Sequence, residues 1–245
     1  MSEVVFTVDA ILFDMDGTLV DSTAGVVGAW ETFKESYPDI DVSEILSCEH
    51  WLSLYLVAKL PTSSATKSSI AWIGSSRFKR EAQRFEEAIV TSSTKNGRRG
   101  IVMLPGTEEI INEIKPYLTL PSPKWAICTS ATRIYATAAL KSAKIPQPDV
   151  LVVAEDVKQG KPYPDPYLLG ASQCGVDPSK CVVFEDAPSG VRSGRAAGCK
   201  TIGLLTSHSR EQMEAAEPDI LVKDLSKVSV KVKETGDLEI TVSAD

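Results

Sequence analysis

The chain has 245 residues, 43% of them hydrophobic and 24% charged; this is ordinary globular composition and excludes a disordered, collagen-like or coiled-coil chain. Lys and Arg number 26 against 33 Asp and Glu, a net charge of −7, so the basic footprint of a duplex nucleic-acid binder is missing. Apolar runs such as Leu54–Ala58 are far too short to cross a bilayer, the opening MSEVVFTVDA carries an acid where a secretory leader carries a base, and five cysteines (Cys48, Cys128, Cys174, Cys181, Cys199) show no CxxC spacing; these features predict reduced thiols in a cytoplasmic protein without membrane or nucleic-acid partners.

The predicted elements alternate. An apolar strand, VDAILFD, ends at Asp14, and a helical pattern covers Ser22–Glu35. Phe78–Val90 is an amphipathic helix, Thr91–Gly100 a loop, and a further helix starts at the Pro-Gly turn near Pro105. Beyond it come strand Trp125–Thr129, helix Ile134–Ala143, strand Val150–Ala154, helix Pro166–Cys174, strand Cys181–Glu185, helix Gly190–Ala197, strand Thr201–Leu205, helix Glu211–Ala216 and strand Ile220–Val222. Such alternation predicts an α/β fold: a Rossmann-like parallel sheet flanked by helices. Roughly ninety residues separate the first strand from the Pro105 helix, longer than any ordinary crossover, and they read as an inserted helical cap. The expected division is a sheet core of residues 1–20 and 100–245 and a cap of residues 21–99, with 47–77 atypical.

Four polar clusters follow directly on predicted strands: Asp14-Met15-Asp16-Gly17-Thr18, Thr129-Ser130, Gly160-Lys161-Pro162 and Glu185-Asp186. Open α/β sheets bind ligands outside the carboxyl ends of their strands, so all four fall where a site belongs. Gly17 permits the turn that brings Asp14 and Asp16 to one edge. Asp186 adds a third carboxylate, and acids so close repel unless a cation neutralises them. Oxygen-only ligands without His or Cys favour Mg²⁺ over zinc. A lysine and a hydroxyl pair aimed at the same point suit phosphate oxygens, and the whole fits phosphoryl transfer.

DMDGTLVDS (Asp14–Ser22), Thr129-Ser130, GKPYPDPY (Gly160–Tyr167) and FEDAPSGVRSGRAAG (Phe184–Gly198) resemble, in order, the four motifs of the haloacid-dehalogenase superfamily of phosphohydrolases. The run TLVDSTAGVVGAWETF (Thr18–Phe33) carries a narrower resemblance to the fungal sugar and polyol phosphatases acting on glycerol phosphate or 2-deoxyglucose 6-phosphate. The resemblance implies that Asp14 is the nucleophile forming an aspartyl-phosphate, and that Asp16 protonates the leaving alcohol and then activates water. It implies that Asp14, Asp16 (through its main-chain carbonyl) and Asp186 hold Mg²⁺, with Glu185 in support. It further implies that Lys161 neutralises the reacting group, that Thr129 with Ser130 binds phosphate, and that Thr18 helps cradle it. The expected partner is a small phosphorylated substrate, handled by a monomer.

Each signal has a plainer reading. A lone DxD is usually a solvated turn, Thr129-Ser130 could cap a helix, Lys161 could be a surface lysine, and Glu185-Asp186 could cap the helix near Pro188. Pro162 after Lys161 excludes a nucleotide P-loop. His50 and His208 lack ligand spacing and read as non-catalytic. The resemblance fails over Cys48–Arg77, a Ser/Thr-rich stretch with two tryptophans and no acid after Glu49; it reads either as a lineage-specific cap or as a retained intron or frame change. Two rival functions stand beside the phosphatase: a β-phosphoglucomutase-like phosphomutase, and an inactive binding or regulatory homologue with a disrupted cap.

Overall fold

The computed structural model describes residues 3–42, 76–115 and 123–243. The chain runs through β1 (Glu3–Val8), β2 (Ala10–Phe13), the two-residue β3 (Val20–Asp21), α1 (Thr23–Ser36), α2 (Ser76–Ser92), β4 (Val102–Met103) and α3 (Thr107–Ile114). It continues through β5 (Trp125–Cys128), α4 (Arg133–Ser142), β6 (Val150–Val152), α5 (Asp165–Cys174), β7 (Cys181–Glu185), α6 (Pro188–Ala196), β8 (Lys200–Leu204), α7 (Arg210–Glu214), β9 (Ile220–Val222), β10 (Val228–Val232) and β11 (Leu238–Ser243). Most of the Cys48–Arg77 stretch lies outside the described residues; only Ser76 and Arg77 are described, in the first turn of α2.

Two compact units result, one of residues 1–21 with 103–245 and one of residues 22–102. The larger unit is built on a six-stranded sheet in the order β6-β5-β2-β7-β8-β9, with every neighbouring pair parallel. This is the Rossmann-like architecture expected from the alternation. Its central strands are short unbroken apolar runs because helices cover both faces: AILF of β2 and WAIC of β5 are buried at every position. Phe13 stacks on Phe184 at 5.3 Å and meets Trp125 edge-on at 6.2 Å, tying β2 to both neighbours. Cys128, Cys174, Cys181 and Cys199 are free thiols buried in this core; Cys48 lies outside the described residues. Among the described residues no helix is long and apolar enough to cross a membrane.

A second sheet was not expected. Strands β1, β11 and β10 form an antiparallel sheet in the order β1-β11-β10. The expected strand VDAILFD therefore breaks at Asp9: Val8 ends β1, the Asp9 amide donates to the Lys180 carbonyl at 2.8 Å, and Ala10 opens β2 in the parallel sheet. β10 and β11 alternate buried and more exposed residues along VSVKV and LEITVS, and Gly236, at φ +87°, makes the turn between them. Thr132, rather than Thr129-Ser130, caps α4, its hydroxyl accepting from the Tyr135 amide at 3.4 Å.

In the smaller unit α1 packs on α2, with the Trp30 and Phe85 rings at 4.5 Å and the Phe33 and Phe85 rings at 5.2 Å. Gly25 and Gly28 bring α1 so near α2 that a Cβ at either would overlap Ile89 or Ser92. The Ser92 hydroxyl uses this closeness to donate to the Gly25 carbonyl at 3.3 Å.

Candidate active site

Parallel pairing sets the site. β2 pairs with β5 (Phe13 opposite Ile127) and with β7 (Phe13 opposite Phe184), so the residues after these strands emerge at one sheet edge. Asp14, Thr129, Glu185 and Asp186 all stand there and are buried. The Asp14 amide donates to the Phe184 carbonyl at 3.0 Å, continuing the ladder as far as Asp14. Gly17 then turns the chain at φ +81°, where a Cβ would overlap both the Asp186 carboxylate and Ser207. The acid pair Asp14–Asp16 thus needs glycine after it for two reasons, the backbone angle and the space.

Lys161 enters from the loop after β6. Its side chain is 6% exposed, and the ammonium donates to Asp14 Oδ1 at 2.5 Å and to Glu185 Oε1 at 2.6 Å. It is therefore a buried ion-pair lysine and not a surface one. Glu185 is held further: its Oε1 accepts from the Tyr167 hydroxyl at 2.7 Å, and its Oε2 from the Ala187 amide at 3.1 Å. Through that amide Glu185 also satisfies a backbone donor at the start of α6. Gly190, in the first turn of α6, leaves the space that the Glu185 carboxylate fills. Asp186 accepts from the Thr18 hydroxyl at 3.2 Å, while His208 Nδ1 lies 3.0 Å from the Asp186 carbonyl. Thr18 thus turns its hydroxyl to a carboxylate in this arrangement, and His208 contacts main chain. Asp16, partly buried, accepts from the Tyr135 hydroxyl at 2.7 Å. Thr129 Oγ1 accepts from the Ala131 amide at 3.1 Å, whereas Ser130 is exposed at the mouth of the same loop.

Asp14, Glu185 and Asp186 can each offer a carboxylate oxygen, and these oxygens lie within 4.8 Å of one another. Burial, and then the neighbouring Glu185 charge, push the Asp186 carboxyl up to about 7. Burial likewise lifts Asp14 well above the usual carboxylate range, against the pull of the Lys161 ammonium. Lys161 itself is held above its ordinary value: the Asp14 and Glu185 charges outweigh burial, so the amine stays charged. One ammonium against three carboxylates leaves two negative charges when all are ionised. A hard dication with oxygen ligands fits that donor set and that deficit.

The haloacid dehalogenase-like hydrolase family model matches residues 8–198. The chain belongs to this family. It is 34% identical over 231 residues to glycerol-1-phosphate phosphohydrolase 2 of Saccharomyces cerevisiae, covering 91% of this chain and 85% of that protein. It is 35% identical over 229 residues to hexitol phosphatase A of Escherichia coli, covering 94% of this chain and 97% of that one. Among solved structures, a candidate β-phosphoglucomutase from Thermotoga maritima superposes with a TM-score of 0.64 at 26% identity, covering 89% of this chain and 95% of the other. The protein is thus an enzyme, a hydrolase whose curated relatives are named phosphatases.

Three contacts of this hydrolase's site were not anticipated from sequence: Tyr135 on Asp16, Tyr167 on Glu185, and the Thr206–His208 turn beside Gly17 and Asp186. Tyr167 was in view, closing GKPYPDPY six residues after Lys161. Tyr135 carries no such signal, because its partner is 119 positions earlier in the chain.

Proposed function

We propose that this hydrolase is a Mg²⁺-dependent phosphomonoester hydrolase acting on a small phosphorylated polyol or sugar, of the glycerol phosphate or 2-deoxyglucose 6-phosphate type, as a cytoplasmic monomer. The observation that carries the reading is the buried Lys161 ammonium bridging Asp14 and Glu185 inside the Asp14–Glu185–Asp186 cluster. A nucleophilic carboxylate needs that neighbour, because an anion attacking an anionic phosphate is otherwise repelled.

In this mechanism an Asp14 carboxylate oxygen attacks phosphorus as the bond to the alcohol oxygen breaks. Asp16 gives that oxygen its proton. Water then attacks the phosphorus, Asp16 takes a water proton, and the Asp14–phosphorus bond breaks, returning the carboxylate and releasing phosphate. Lys161 holds Asp14 in place and offsets charge on the transferring group. Thr129 and Ser130 bind the phosphate oxygens, and Thr18, through its hydrogen bond to Asp186, steadies the carboxylate wall of the site. Asp14, Asp186, Glu185 and the Asp16 carbonyl would hold Mg²⁺, which supplies charge neutralisation at the phosphate.

Phosphate release from glycerol phosphates, hexitol phosphates, 2-deoxyglucose 6-phosphate and p-nitrophenyl phosphate, with Mg²⁺ and with chelator, tests the reading. Turnover that chelator abolishes and Asp14→Asn eliminates supports it; turnover that survives in Asp14→Asn contradicts it. The likeness to a candidate β-phosphoglucomutase favours one rival, a phosphomutase. That rival predicts an isomerised sugar phosphate in place of released phosphate.

A further inference from the structure

We propose that Tyr135 is a positioning residue for Asp16, its hydroxyl fixing which carboxyl oxygen exchanges the proton with the leaving alcohol and with water. The proposal rests on the reading of Asp16 as acid and base. The phenol donates to Asp16 Oδ1 at 2.7 Å. A carboxyl oxygen that accepts such a bond is a poor site for the group's own proton, so Oδ2 carries it. In the first step that proton leaves Oδ2 for the alcohol oxygen as the phosphorus–oxygen bond breaks. In the second, the same Oδ2 takes a proton from the attacking water. Both transfers need Oδ2 turned to one point, and proton transfer is sensitive to misplacement by about an ångström.

The support beneath Tyr135 is rigid. The residue is 4% exposed, and its amide donates to the Thr132 hydroxyl that caps α4. Strand β5, which leads into α4, is paired in parallel with β2, which leads into Asp16, so the approach of the two side chains is set by sheet register. An aspartate side chain alone has two free torsions; the fixed phenol removes that freedom.

The leaving group separates positioning from packing. An alkoxide needs a proton to leave, whereas p-nitrophenolate does not. Tyr135→Phe is expected to lower kcat/KM for glycerol phosphate by ~10- to 100-fold, while kcat/KM for p-nitrophenyl phosphate changes less than about threefold. Tyr135→Met, which fills the site without a hydroxyl, should give the same split and guards against a folding defect peculiar to one variant. In an Asp16→Asn background, Tyr135→Phe should add no further loss. Equal losses on both substrates in the two variants, or a full loss from Tyr135→Phe on top of Asp16→Asn, would overturn the assignment while leaving the phosphatase reading intact. Absence of phosphate release by the wild-type chain from either substrate would overturn that reading and this assignment with it.

Discussion

Lys161 joins two buried carboxylates, so removing it does more than delete a charge. Lys161→Met leaves the Asp14 and Glu185 carboxylates without the ammonium they share, though Glu185 keeps its bonds from Tyr167 and the Ala187 amide. We expect a loss of at least ~100-fold in kcat/KM and a destabilisation of about 3 kcal/mol, read by denaturant melts without added metal. Asp186 gives a pH prediction. Its carboxyl is raised to about 7 in the folded, metal-free protein, so the folded state holds a proton there that the unfolded state releases at lower pH. The resulting cost is absent at acid pH, grows as pH rises from the ordinary carboxylate range, and is complete above about 7. A bound dication removes it. Mg²⁺ should therefore raise the melting temperature more at pH 8 than at pH 5.5, and equal shifts would contradict the account. At this scale the sequence was most legible in bringing Asp14, Lys161, Glu185 and Asp186 to one place, because charged groups directly after apolar parallel strands gather at one sheet edge. Tyr135 was not legible, since a tyrosine on a helix is equally at home in a core, and Tyr167, although inside GKPYPDPY, carried no sign of its bond to Glu185.

At the scale of the element, the sites of closest packing are the informative ones. Gly190 leaves room for the Glu185 carboxylate at the start of α6. Gly190→Ala must displace that carboxylate from Lys161, and should cost roughly 1–3 kcal/mol together with most of the activity. Gly28→Val in the smaller unit overlaps Ser92 of α2 and should cost a similar ~1–3 kcal/mol through helix separation alone. Thermal melts combined with assays distinguish the two. The core elements were readable because a parallel strand buried on both faces must be a short apolar run, and CVVFE and WAIC are such runs. The break at Asp9 was not readable: a single acid within VFTVDAILF is compatible with one strand, and only the non-local partners β11 and β7 divide the run between two sheets.

Across the larger unit, strands far apart in sequence meet. β1 and β11 pair along Glu3–Val8 and Leu238–Ser243, and Leu238, Ile240 and Val242 are fully buried. The alternation in LEITV and the turn residues of ETGD were signals for this hairpin, but its partner lies at the far end of the chain, beyond the reach of local pattern. Ile240→Ala should cost about 2–5 kcal/mol while leaving kcat/KM at low temperature unchanged. A coupled loss of activity in a folded Ile240→Ala protein would mean that this sheet takes part in the site.

The central claim is that Asp14 carries the phosphoryl group. Acid quench during turnover, followed by borohydride, reduces an aspartyl-phosphate to homoserine, and peptide mass spectrometry reports the position. The account predicts homoserine at position 14, dependent on both substrate and Mg²⁺. Turnover without homoserine, or with homoserine at position 16 in its place, would contradict it.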